Sequence, residues 1–511
     1  MGNKWFSFSI NSISSLLYKK EYKRFVSVDS IERIQREKLF QIIKDNKKTD
    51  YGKKFDFNSI DSVSAYQREV PLTIYEDYVD YIEKIKDGKE NVLTRGRVLL
   101  LEPTSGSTSA SKYIPYTESL KKEFQKALKP WIYDLYNSYK DIKWGKSYWS
   151  LTPLTGESEY TRGGIPIGFE EDIEYFGFLE KKLFGKIFAV DNSVAKVKDM
   201  DDFYYNTSLQ LLMAKDLTLI SVWNPTFLLL ILEYIEKNID KLYKDISKKD
   251  KDRAIELKNL VSNKKYGNIW PQLKLISCWC DGNARKYSEA VRKVFPQVEI
   301  QAKGLLATEG VISFPFANEN GARISVHSHF YEFESLRNGK IYLAHEIKKG
   351  EDYSVIITTS GGLYRYKLND VIEVIDMAGV FPLIKFKGKK DMVSDMFGEK
   401  LNENFIKNVI KENLEDVDFY MMAPEVDRYV LYIKSDKTPN NIDEMFRENF
   451  HYDYCRKLGQ LKKLKIFKLT GNPEQEYIKG CVKQGQRIGD IKATALSLQE
   501  GWDEIFEGEY I

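Results

Sequence analysis

Few residues in this chain are suited to disulfide, zinc or histidine chemistry. The 511 residues include only four cysteines and four histidines. Four cysteines are too few for a disulfide scaffold at this length. Cys278-Trp279-Cys280 is followed by no second pair at a zinc-binding distance. We therefore expect reduced, buried cysteines. The histidines form no Ser/His or Cys/His arrangement, which makes an acyl-enzyme route less attractive.

The chain also has a small net charge and no long apolar run. The 78 basic and 75 acidic residues leave a net charge of +3, so there is no electrostatic case for nucleic-acid binding. The longest apolar run, Phe227–Leu232, is far shorter than the roughly 20 residues of a membrane span, and Met1–Lys20 has no apolar core of an export signal. The sequence therefore predicts a cytoplasmic, monomeric protein that binds neither nucleic acid nor membranes.

The order of patterns along the chain predicts a mixed α/β protein. Asn224-Pro225 is a good helix start, and an apolar stripe at helical spacing follows it. Beyond Trp270 the pattern changes to short strands, with a hairpin predicted around Gly361-Gly362. From about Lys385 helix and strand alternate again, including a predicted helix over Ile442–Leu458, which indicates a small α+β domain.

The most informative segment is Thr104 to Tyr116, TSGSTSASKYIPY. It follows a strand-like stretch and precedes a helical pattern that begins at Glu118, so we expect a loop between a strand and a helix. Hydroxyl groups, a glycine and Lys112 suit close approach to phosphate oxygens. It is not a Walker A motif, because the second glycine and the Ser/Thr after the lysine are missing. The alternative is an ordinary serine-rich surface loop.

Four weaker signals follow in order. In Ala307–Gly310 (ATEG), Thr308 and Glu309 could contact phosphate and magnesium together, although such pairs are common. In Tyr364–Val371, Asp370 should lie near the irregular end of a strand, where it could accept hydrogen bonds from ribose. The alternative there is cross-strand charge pairing.

The last two signals are basic. Phe386–Glu403 places a glycine between lysines before a helical segment, which is typical of a hinge, and Lys389 and Lys400 could reach an anionic ligand. A solvated basic linker is the alternative. Gly485–Lys492 (GQRIGDIK) has two glycines and ends in Lys492, as a mobile loop would, but taken singly it is uninformative.

Together, these motifs resemble the acyl-adenylate-forming superfamily, and most closely the auxin-responsive GH-three family of acyl acid–amido synthetases, its bacterial members in particular. The superfamily's phosphate loop runs T-S-G-[ST]-T-G-x-P-K, and Thr104–Lys112 matches it at six positions. Ser109 replaces the late glycine and Ser111 the proline. A tyrosine that usually packs on adenine is replaced by Leu305, so adenine stacking must come from elsewhere or be weaker.

The resemblance implies binding of ATP and Mg2+. Within the nucleotide site, Glu309 would hold Mg2+, Thr308 would touch the α-phosphate and Asp370 would bind ribose. The implied nucleotide-binding residues are Thr104, Ser105, Gly106, Ser107, Thr108, Lys112, Thr308, Glu309 and Asp370. Lys492 and Lys400 would be catalytic. Lys389 would occupy the position of the family's hinge arginine, and this replacement keeps the positive charge but loses the bidentate hydrogen bonding of a guanidinium. The acyl pocket is not identified.

The resemblance also implies a fold and a reaction. A large N-terminal α/β domain over residues 1–384, with mixed sheets and a β-barrel-like part, would carry the ATP and acyl-acid sites. A small mobile α+β domain over residues 385–511 would carry a catalytic lysine. The enzyme would adenylate a carboxylic acid, release pyrophosphate and transfer the acyl group to an amine such as an amino acid. The alternatives are an acyl-CoA ligase and a non-catalytic binding protein of the same fold.

Overall fold

A computed structural model gives the fold. It describes residues 2–104, 112–150, 159–168, 185, 187–197, 199–390, 393–394, 396, 399, 401–437, 441–457, 461–486 and 488–511. The chain forms two compact units, one ending at Gly388 and the other running from Lys389 to Ile511. Among the described helices, none has both the length and the apolar composition to cross a lipid bilayer.

The α-helices of the described residues are distributed over both units. They are α1 (Gly2–Leu17), α2 (Lys19–Val26), α3 (Ile31–Asn46), α4 (Asp50–Lys54), α5 (Val63–Glu69), α6 (Val79–Lys86), α7 (Glu118–Ser138), α8 (Met200–Met213), α9 (Pro225–Ser247), α10 (Lys251–Ser262), α11 (Arg285–Val294), α12 (Glu403–Asn413), α13 (Ile442–Phe446), α14 (Phe450–Lys457) and α15 (Pro473–Lys483).

The strands belong to several separate sheets. In chain order they are β1 (Val98–Thr104), β2 (Lys112–Thr117), β3 (Lys146–Trp149), β4 (Glu159–Tyr160), β5 (Pro166–Ile167), β6 (Leu217–Ser221), β7 (Leu275–Cys278), β8 (Glu299–Ala302), β9 (Leu306–Ala307), β10 (Gly310–Val311), β11 (Ser313–Pro315), β12 (Ala322–Ile324), β13 (Phe330–Ser335), β14 (Ile341–Leu343), β15 (Asp352–Thr358), β16 (Tyr366–Ala378), β17 (Phe381–Lys389), β18 (Val393–Ser394), β19 (Leu401–Asn402), β20 (Val417–Glu425), β21 (Arg428–Ser435), β22 (Lys465–Leu469) and β23 (Gly508–Tyr510).

A parallel sheet in the first unit has the strand order β3-β6-β7-β8. Strands β6 and β7 are buried along their whole length, as expected when helices cover both faces. Helix α9 begins as predicted, because the Asn224 side chain accepts a hydrogen bond from the Thr226 N–H and Pro225 takes the first helical position.

The largest sheet is seven-stranded, in the order β11-β12-β17-β16-β15-β13-β14. The predicted hairpin around Gly361-Gly362 is confirmed, since β15 and β16 pair antiparallel on either side of it. Gly362 has φ +102°, and a side chain there would also meet the backbone of Leu93. Helices α3 and α7 pack against this region within one continuous apolar core.

The second unit contains a sheet of order β20-β21-β22-β23 between two apolar cores. The predicted helix over Ile442–Leu458 is wrong as a single element, because it is divided into α13 and α14. The Asn449 side chain accepts a hydrogen bond from the Tyr452 N–H and so caps the start of a new helix.

Candidate functional site

The serine-rich segment is flanked by strands on both sides. Thr104 ends β1 and pairs with Lys112, which begins β2. The prediction of a loop running directly from a strand into a helix is therefore wrong: the aromatic and β-branched residues after Lys112 pair with β1 before helix α7 begins. Ser105, Gly106, Ser107 and Thr108 lie outside the described residues. The Lys112 ammonium lies 5.6 Å from the centre of the Tyr75 ring.

Thr308 and Glu309 form the turn between β9 and β10, which pair antiparallel. The turn is held from one side by Tyr116, whose hydroxyl donates to the Thr308 carbonyl at 2.5 Å. On the other side, the Val311 N–H donates to His329 Nε2 at 3.1 Å. The structure thus joins the end of the serine-rich segment to the Thr-Glu motif.

A buried glutamate on α7 lies behind this turn. Glu123 is 2% exposed and accepts hydrogen bonds from Lys38 Nζ, from His329 Nδ1 at 3.0 Å and from the Ser360 N–H at 3.0 Å. The Ser360 hydroxyl donates to it as well. Burial alone would raise the pKa of Glu123, but Lys38 and His329 bring it down to about 2.

His329 is neutral in this network. Burial lowers its pKa, although Glu123 acts in the opposite direction. Since Nε2 accepts from the Val311 N–H, the ring proton is assigned to Nδ1, which donates to Glu123. The imidazole thus links a buried carboxylate to the backbone of the Thr308–Glu309 turn. A side chain at Gly310 would come within 2.7 Å of its Nε2, so the turn fits closely against the ring.

Asp370 lies inside β16 rather than near its end, so that prediction is wrong. The pairing with β15 shifts between Lys367 and Val371, and Asn369 has φ +60°. This is a β-bulge, which redirects a side chain within a strand. Asp370 is 4% exposed, and its Oδ1 has no hydrogen-bond partner among the described residues. Buried carboxylate oxygens without donors are uncommon, because desolvation of the charge is not compensated.

The neighbouring Arg365 has a structural role. Its guanidinium binds both carboxylate oxygens of Glu332, at 2.9 and 3.0 Å, and donates to the carbonyls of Gln67 and Val70. For Arg365, the alternative interpretation of this segment, charge pairing, is therefore the one that applies. Lys367 lies 3.7 Å from Glu334 and pairs in the same way, but more weakly.

Three of the predicted residues belong to the second unit. Lys389 is the last residue of β17, and Lys400 lies outside the described residues. Lys492 has an exposed side chain, and its carbonyl accepts a hydrogen bond from the Tyr477 hydroxyl at 3.0 Å. Leu305, where the family has tyrosine, is buried in the main core of the first unit.

Sequence reasoning missed Glu123, His329, Lys38 and Tyr116. One signal was available for Glu123, because it lies on the apolar stripe of α7 between Leu120 and Ala127. A charged residue on such a stripe must be paired when the helix packs. The other three residues gave no comparable signal, since their partners are distant in the sequence.

Models of one protein family match two consecutive parts of this chain. The model of the GH3 family N-terminal domain matches residues 25–300, and that of the GH3 family central domain matches residues 323–389. An Arabidopsis thaliana protein, indole-3-acetic acid-amido synthetase GH3.4, is 22% identical over 452 residues, or 76% of this chain and 73% of its own. Jasmonoyl-L-amino acid synthetase JAR4 of Nicotiana attenuata is 21% identical over 443 residues, or 76% and 75%.

A solved structure supports the fold. That of the GH3.15 acyl acid amido synthetase aligns with a TM-score of 0.77 and 18% identity, and the alignment covers 94% of each chain. At this identity the likeness concerns the fold.

Proposed function

This chain belongs to the GH3 family, and from that premise we propose that it is an ATP-dependent acyl acid–amido synthetase. It activates a carboxylic acid as an acyl-adenylate and passes the acyl group to an amine, of which an amino acid is the expected kind. The cytoplasm as its location and the monomer as its active form are part of the proposal.

The observation that best supports the proposal is the network of hydrogen bonds around the buried Glu123 carboxylate. Through Glu123, helix α7, which begins just after the serine-rich segment, is joined to His329 and Ser360. His329 holds the Thr308–Glu309 turn through Val311, and Ser360 precedes the strand that carries Asp370. Segments that adjoin three motifs far apart in the sequence thus contact one buried anion, which supports a common site. Fixed positions are what adenylation requires, because its catalysis depends on positioning and charge stabilisation.

We expect the donors and acceptors of these residues to bind a nucleotide. The Oδ1 atom of Asp370, without a partner among the described residues, suits a ribose hydroxyl as donor. The serine-rich segment from Thr104, together with Lys112, is proposed to hold the phosphates, and Thr308 to touch the α-phosphate. Glu309 is proposed to hold Mg2+ with phosphate oxygens, an arrangement that this ion favours. When bound, Mg2+ would neutralise part of the phosphate charge.

In the first step, a carboxylate oxygen of the acid attacks the α-phosphorus of ATP. The bond from that phosphorus to the oxygen of pyrophosphate breaks, and a mixed anhydride forms. In the second step, the amine nitrogen attacks the acyl carbon, the bond to the AMP oxygen breaks and the amine loses a proton. Lys492 and Lys400 are proposed to contact the reacting acyl phosphate or nucleotide, and Lys389 to serve as the hinge of the small domain.

Carboxylate-dependent exchange of pyrophosphate into ATP tests the first step, and a screen of acids crossed with amino acids tests the second. We expect exchange with at least one acid, and amide plus AMP when its amino acid is added. Acyl-CoA formation with free CoA, and no amide with any amino acid, would instead identify a CoA ligase. Absence of exchange across a broad acid panel would contradict adenylation altogether.

A further inference from the structure

Lys303 lies among three tryptophan rings just after strand β8. Its ammonium is 4.4 Å from the ring centre of Trp223, 4.9 Å from that of Trp131 and 5.8 Å from that of Trp149. The side chain is 8% exposed, and its hydrogen bond within the described part of the chain goes to Ser221 Oγ at 2.7 Å. We call Trp131, Trp149, Trp223 and Lys303 the tryptophan–lysine cluster.

A row of polar side chains crosses the parallel sheet beside this cluster. Trp149 pairs with Ser221, Ser221 with Ser277, and Ser277 with Gln301 in the strand register. Gln301 is 6% exposed, and its Oε1 accepts from Trp131 Nε1 at 3.1 Å. Its Nε2 has no hydrogen-bond partner among the described residues.

These two side chains present donors that the described chain does not use. An ammonium carries three N–H donors and an amide two, whereas Lys303 uses one and Gln301 Nε2 none. The titratable groups that face Lys303 are the thiols of Cys278 and Cys280, and no described carboxylate is paired with it. A purely structural ammonium would be stabilised by such a carboxylate, because burial of an unpaired cation is costly.

We propose that the tryptophan–lysine cluster and Gln301 bind a second carboxylate on a planar acyl acid, at the end opposite to its reacting carboxylate. The proposal rests on the proposed function and assigns its substrate class. A carboxylate is an acceptor for both sets of donors, and indole rings pack favourably against a flat ring system.

The positions of Lys303 and Thr308 along the chain allow one acid molecule to reach both the tryptophan–lysine cluster and the Thr308–Glu309 turn. Lys303 precedes Thr308 by five residues, so the two Cα atoms are at most about 17 Å apart. Trp131 lies two helical turns after Glu123 on α7, the helix that also anchors the Thr308–Glu309 turn.

Three matched acids test the proposal with the full chain. Terephthalate carries a second carboxylate opposite the reacting one. Its monomethyl ester carries a neutral hydrogen-bond acceptor at that position, and 4-methylbenzoate carries a methyl group that is neither charged nor an acceptor. A second series with the same three groups on naphthalene provides longer acids. In pyrophosphate exchange, we expect the kcat/KM for a dicarboxylate to exceed that for the methyl acid about 10- to 100-fold, the value of a charge-assisted hydrogen bond. Equal values across both series would overturn the proposal, as would a preference for the ester.

Variants separate this role from a structural one. Lys303→Met should abolish the preference for the dicarboxylate over the methyl acid, whereas Lys274→Met, at an exposed lysine preceding β7, should preserve that preference. An equal loss for all acids in Lys303→Met would overturn the proposal. If the broad panel is adenylated but neither series is, this inference fails and the proposed function stands. If no acid is adenylated, the proposed function itself fails.

A pH profile of the unmodified protein provides a second test that needs no variant. Burial lowers the pKa of Lys303 to about 7, while Cys278 and Cys280 act in the opposite direction. The ammonium form therefore predominates below about pH 7, and the ratio of kcat/KM for the dicarboxylate to that for the methyl acid should fall as pH rises through this value. A ratio that is constant between pH 6 and 9 would overturn the proposal.

Discussion

Neutralising Glu123 should destabilise the first unit strongly, although the substitution is nearly isosteric. In Glu123→Gln, Lys38 keeps its charge in a buried position and loses its carboxylate. The amide nitrogen of the new glutamine is a hydrogen-bond donor, and the groups of Lys38, His329 and Ser360 that surround it donate as well. The nitrogen would therefore face donors where the carboxylate oxygen had accepted from them. We therefore expect a loss of stability rather than a neutral exchange.

The magnitude follows from the structure in two ways. Breaking a buried ion pair by removal of one partner costs about 3–5 kcal/mol. The same interactions also lower the pKa of Glu123, and a carboxyl with a pKa near 2 in the folded chain, against an ordinary 4.5, contributes about 3 kcal/mol at neutral pH. Because the folded value is the lower one, this stabilisation is complete above about pH 4.5 and is lost as pH falls towards 2. Glu123→Gln should lack that pH dependence.

Urea unfolding followed by tryptophan fluorescence measures the effect, since seven of the eight tryptophans belong to the first unit. Glu118→Gln is the matched control, because Glu118 is an exposed residue of the same helix, and it should cost less than about 1 kcal/mol. Lys38→Met combined with Glu123→Gln should recover part of the loss. A cost below about 1 kcal/mol for Glu123→Gln, or simple additivity with Lys38→Met, would refute the reasoning.

Three further predictions concern the proposed nucleotide site. Lys492→Ala should lower pyrophosphate exchange far more than ATP binding measured by calorimetry; equal losses would contradict its assigned role. Glu309→Gln should raise the Mg2+ concentration required for half-maximal exchange, and an unchanged requirement would exclude a metal ligand there. Asp370→Asn should raise the KM for ATP about tenfold, the value of a charged hydrogen bond, without loss of thermal stability, because Oδ1 has no partner among the described residues. A stability loss with unchanged KM would indicate a structural carboxylate.

Several elements could be predicted because their signals are local. The helix that starts at Asn224-Pro225 and the hairpin around Gly361-Gly362 are encoded by caps, turn residues and periodicity within a few positions. The family could be inferred because the order of its motifs survives in the sequence. Asp370 was identified as a residue of interest, but its bulge was not, because the register shift depends on how β16 pairs with β15.

By itself, the sequence determined the mixed α/β class, the motif order and the candidate residues of the first unit. Only the tertiary structure decided what holds those residues in place. Glu123 and His329 are 206 positions apart, and Lys303 meets the three tryptophans through strand register and the packing of α7. Neither arrangement leaves a local pattern, since burial, hydrogen-bond partners and pKa values arise only when distant segments pack together.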